Sequence, residues 1–87
     1  MKTFEDLVFK PHRVVPGGVQ AKLDLGNDIE VSVVGGPGLY GNGDTTFEVA
    51  AFYMSLNKFV PMPDGEDVSG WNSKVVVTKI INRLENL

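Results

Sequence analysis

The chain has 87 residues, 43% of them hydrophobic and 22% charged, with ten glycines, five prolines and no cysteine. This is the composition of one small globular domain, and it excludes collagen, coiled coil and disorder along the whole chain. Without cysteine there is no disulfide framework, thiolate zinc site or cysteine nucleophile.

The net charge of −3 is unevenly spread: residues 24–67 hold eight acids against one base, Lys58, whereas both ends are basic. Nucleic-acid binders carry a domain-wide basic excess, so no nucleic-acid partner is expected. No apolar run approaches the ~20 residues that span a bilayer, so no membrane partner is expected either. Glu5 and Asp6 interrupt what would be a signal-peptide core. The expectation is a cytoplasmic protein.

In chain order, residues 7–10 read as a short first strand stopped by Pro11. Residues 19–25 alternate strictly between apolar and polar, the mark of a strand with one dry and one wet face. Gly26, Asn27 and Asp28 form a turn cluster, and residues 29–33 alternate again, which together predict a β-hairpin. A third run, 45–54, is rich in Thr, Phe, Val and Tyr. Lys58, Phe59 and Val60 are placed to turn back on it before Pro61 and Pro63 interrupt the ladder. Residues 61–70 read as an acidic loop.

From about residue 72 the period changes. Val77, Ile80, Ile81 and Leu84 fall at i, i+3, i+4 and i+7, which predicts an amphipathic helix over about 72–86. Asn72 or Ser73 is its N-cap. Trp71, beside the apolar positions, is expected to plug the end of the core. The predicted fold is a single α+β domain: a three- to four-stranded antiparallel meander over about 7–60, with one C-terminal helix packed on one face.

The candidate chemistry is sparse. Gly36, Gly38 and Gly41 satisfy G-x-G-x-x-G, but a dinucleotide site needs a helix to begin at the last glycine, and here a strand follows. The glycine-rich stretch 35–44 therefore reads as a mobile hairpin connection. The alternative is a loop that orders around a nucleotide-like ligand at an oligomer interface, with Leu39 and Tyr40 as anchors. His12 is the only histidine, which denies the chain a His pair or a Ser-His-Asp triad, and it reads as a surface loop residue. Asp64, Glu66 and Asp67 lack calcium-loop spacing. No catalytic residue, metal or cofactor is expected, and the chain reads as a non-enzyme.

One anomaly concerns the sheet face turned away from the helix. Gln20, Lys22, Asp24, Glu30 and Ser32 are polar, as a wet face requires. Ala50, Phe52 and Met54 share the face of Glu48 and are not, and Val34 joins them across the ladder. An apolar area rimmed by acids has the character of an association surface. Phe52 and Met54, with Leu39 and Tyr40 at the edge, are thus candidate partner-binding residues for another protein or for a second copy of the chain. The competing expectation is that the N-terminal segment, through Phe4 or Phe9, folds over this area.

Several segments carry a further likeness: Phe4-Glu5-Asp6-Leu7-Val8-Phe9-Lys10-Pro11-His12, the run Val31-Ser32-Val33-Val34, and Leu39-Tyr40-Gly41 with Phe47-Glu48-Val49-Ala50. Asp67-Val68-Ser69-Gly70-Trp71 leading into Val77-Thr78-Lys79-Ile80-Ile81 and Leu84 completes it. Together they resemble a group of small uncharacterised accessory proteins of tailed phages and prophages. The likeness runs nearly the full chain, rests on structural rather than catalytic motifs, and departs at Asn72-Ser73-Lys74, where a more acidic helix start is expected. It implies a phage or bacterial-cytoplasm setting and action by binding or inhibiting a host protein.

Overall fold

The computed structural model describes all 87 residues. In chain order the elements are a 3-10 turn (Phe4–Asp6), β1 (Lys10–Pro11), β2 (Val19–Asp24), β3 (Ile29–Gly35), β4 (Phe47–Tyr53), β5 (Lys58–Phe59), β6 (Val68–Asn72) and α1 (Lys74–Glu85). This is the α+β arrangement that the periodicities predict: an antiparallel sheet with one C-terminal helix on one face.

The two strictly alternating runs become β2 and β3, paired from Val19↔Gly35 to Asp24↔Glu30. Their turn places Gly26 at φ +84° and Asp28 at φ +70°, the left-handed region that Gly and Asp enter at least cost. β4 then pairs with β3, bringing Ala51 opposite Val31 and Val49 opposite Val33. β1 and β5 extend the meander at its two sides. Pro11 does not stop the first strand but belongs to it, tolerated because β1 is outermost.

The sheet has six strands rather than three or four, because the short segments β1 and β5 both pair into it and β6 forms where the acidic loop was expected to run on to residue 70. β5 and β6 share the far edge of β4 end to end, β5 beside Phe52 and Tyr53, β6 beside Phe47, Val49 and Ala50. Nothing in the β6 sequence alternates. Its extended state comes from the open edge of β4, not from local preference.

The inner face meets α1. Val77, Ile80, Ile81 and Leu84 are the helix's buried residues, and they join Ile29, Val31, Val33, Val49 and Ala51 in one core. Leu7, Val60 and Met62 complete that core from segments whose sequence gave no face. Ser73 is the N-cap, its hydroxyl accepting the N–H of Val76 at 3.3 Å. At the other end Asn27 reaches from the β2–β3 turn and donates to the carbonyl of Leu84 at 2.9 Å. One turn residue thus adds a side-chain donor to a last-turn helix carbonyl that the backbone N–H of Leu87 also approaches, at 3.4 Å.

The N-terminal segment also packs on this inner side. The N–H of Phe4 donates to Thr78 Oγ1 at 2.9 Å, and that of Lys2 to Glu85 Oε1 at 3.0 Å. The rings of Phe4, Phe9 and Phe47 form a cluster with centroids 5.1–5.6 Å apart. Phe47 belongs to the inner face, so the segment closes the end of the core between sheet and helix. The expectation that Phe4 or Phe9 covers the outer face is therefore corrected.

Candidate functional site

The outer face follows directly from the register. Gln20, Val34 and Glu48 form one cross-strand row; Lys22, Ser32, Ala50 and Val68 form the next; Asp24, Glu30, Phe52 and Phe59 form the third. Strand alternation puts all of these on the side away from the helix. In the second and third rows polar residues occupy the β2 side and apolar residues the β4 side, whereas the first row ends on β4 with charged Glu48.

Phe52 and Phe59 are directly opposed, with ring centroids 4.7 Å apart in a tilted arrangement. Such a pair adds about 0.5–1.5 kcal/mol beyond its area burial. Phe52 is half-buried by that partner, while Phe59 remains 43% exposed. Phe59 was read only as part of a returning strand, and the parity that aims its ring at Phe52 comes from the β4–β5 pairing. Met54 continues past the end of β4, its N–H held by the carbonyl of Asp28 at 2.8 Å, and its side chain is exposed.

Tyr40 lies at the other end of β4. Its N–H donates to Glu48 Oε1 at 3.0 Å, and its carbonyl accepts the N–H of Trp71 at 2.7 Å. Glu48 and Phe52 are four residues apart on one strand, about 14 Å. The four candidate residues therefore spread along β4: Phe52 and Met54 at one end, Tyr40 with half-buried Leu39 at the other. They do not share one pocket.

Trp71 does not plug the core. It is 63% exposed at a β-bulge, where Gly70 and Trp71 together stand opposite Glu48. Its φ of +56° is uncommon for so large a residue. The bulge turns the chain between Ser69 and Asn72, and Asn72 takes the buried position that Trp71 was expected to fill. Asn72 Nδ2 donates to the carbonyls of Ser69 at 2.9 Å and Phe47 at 3.2 Å, which is what lets a polar side chain sit there.

The glycine-rich stretch is closely packed rather than loose. Asn42 Oδ1 accepts the N–H groups of Asp44, Thr45 and Thr46 at 2.8–3.0 Å. The N–H of Gly36 donates to the carbonyl of Gly41, and that of Gly43 to the carbonyl of Thr46. Gly35, Gly36 and Gly41 are buried, and a Cβ on any of them would run into neighbouring backbone. These glycines serve close backbone approach. The connection expected to be mobile is held by these bonds and by close contacts at Gly35, Gly36 and Gly41.

Comparisons of the chain with protein-family models, with curated proteins and with solved structures return no match. No helix is long and apolar enough to cross a membrane.

Proposed function

We propose that the chain is a small non-enzymatic interaction module that uses the outer face of its sheet to bind another protein. The observation that carries this reading is the Phe52–Phe59 pair, standing on an open sheet face away from the helix and the N-terminal segment. Asp24 and Glu30 share its cross-strand row and Glu48 lies further along β4. A partner with an apolar anchor inside a basic rim complements this surface. The likeness to phage and prophage accessory proteins supports a host protein of the bacterial cytoplasm as that partner, with binding or inhibition as the outcome.

Phe52→Asp tests the reading. The variant should keep its far-ultraviolet circular dichroism and its cooperative melt while losing the protein, or the second copy, that the native chain retains in a bacterial lysate or by gel filtration. Unchanged association would remove the Phe52 face as the site. Global unfolding would place Phe52 in the core.

A further inference from the structure

Lys10, Arg13 and Lys22 line one open cavity of about 540 Å³ at the β1–β2 corner, with Val8, Pro11 and Gln20 as the remaining walls. Three of the chain's eight basic residues thus share a cleft that no acid lines. The volume is that of a small-molecule site, several times what a single inorganic anion fills.

The cleft is built from fixed backbone. Lys10 is the cross-strand partner of Gln20, and Lys22 follows Gln20 by two residues on the same face. Lys10 and Lys22 are therefore diagonal neighbours, about 7–8 Å apart along the sheet. Gln20 is tied beneath them by its amide, which donates to Ser32 Oγ at 3.4 Å. Arg13 sits in a turn that His12 closes. His12 Nδ1 accepts the N–H groups of Val14 and Val15, each at 3.1 Å, and the backbone N–H of His12 donates to the carbonyl of Gly18 at 2.9 Å. The sequence alone made His12 an idle surface residue; here it positions Arg13.

Three like charges in one cleft repel, and an anion between them removes that repulsion while gaining attraction to each. Arg adds a planar fork suited to phosphate oxygens. The diagonal spacing of the two lysines suits a ligand with two charged groups better than one with a single group. No aromatic side chain lines the cavity to stack on a base. We propose that this corner binds a small molecule bearing two or more phosphate groups. The cleft lies at the β1–β2 side of the same outer face, but it shares no residue with the Phe52–Phe59 pair and does not depend on that reading.

Amide chemical shifts measured during titration with inorganic pyrophosphate, at an ionic strength of about 0.15 M, test it. Saturable shifts at Lys10, Arg13, Gln20 and Lys22 are expected at millimolar concentrations or below, with orthophosphate binding more weakly. Arg13→Gln combined with Lys22→Gln should weaken binding by about tenfold or more with the rest of the spectrum unchanged. Non-saturating shifts, equal shifts along Lys74, Lys79 and Arg83, or equal binding by the double variant would overturn it. Displacement of pyrophosphate by sub-micromolar duplex DNA would overturn it in favour of a nucleic-acid site.

Discussion

The backbone N–H of Trp71 donates to the carbonyl of Tyr40 at 2.7 Å, joining two residues 31 positions apart whose side chains are both more than half exposed. Gly70 makes the approach possible, because a Cβ there would come within 2.8 Å of the Tyr40 Cβ. Trp71 is the only tryptophan. Its fluorescence in the native protein should therefore resemble that of free indole and be quenched readily by acrylamide. Emission shifted strongly to the blue would put the ring back at the end of the core.

The left-handed backbone of Trp71 leads to a second expectation. A non-glycine residue held there stores about 1 kcal/mol or somewhat more, and the exposed ring returns little of it through burial. Trp71→Gly should leave stability unchanged or raise it by up to about 1 kcal/mol in urea unfolding. A loss greater than that would show that ring contacts hold the bulge in place.

Ile81 has no exposed surface and sits where the helix crosses the sheet. Truncating it to alanine leaves a cavity that neighbours on a rigid sheet fill poorly. Ile81→Ala should cost about 2–4 kcal/mol, a large share of the stability of a domain this size. A cost below about 0.5 kcal/mol would contradict the packing described.

Gly41→Ala probes the packed glycine stretch. Its Cβ would lie 2.6 Å from the Phe47 Cα, so the β3–β4 connection or the start of β4 must shift. A loss of about 1–3 kcal/mol is expected from such overpacking. In the native protein, backbone order parameters over residues 36–43 should approach those of β2. Values typical of a floppy loop would refute the preformed arrangement.

How far the sequence reveals this molecule differs from element to element. Residues 19–25 and 29–33 are legible because one face is wet and one dry, and Ile80 and Ile81 because the helix period persists to Leu84. The same parity puts Phe52 on the outer face, as the register confirms. β6 is illegible for a physical reason. Its bulge breaks any period of two, and its extension depends on the edge of β4, which lies far away in sequence. Trp71 falls outside the core because apolar character says nothing of backbone φ, and Asn72, a candidate cap in the sequence, is instead buried where the carbonyls of Ser69 and Phe47 await its amide. Phe4 and Phe9 carry no periodic signal at all. Their location is decided by the ring of Phe47 and the hydroxyl of Thr78.

The helix that covers the inner face is synthesised after every strand of the sheet it covers. β2, β3 and β4 are complete at Tyr53, yet Leu84, which seals their apolar side, follows 31 residues later. At roughly 5–20 residues per second that is an interval of about 2–6 s. Through it Val31, Val33 and Val49 have no helix over them, and Phe4 waits for Thr78 at the opposite end of the chain. A nascent chain paused between Tyr53 and α1 thus carries an adhesive sheet face with no helix over it.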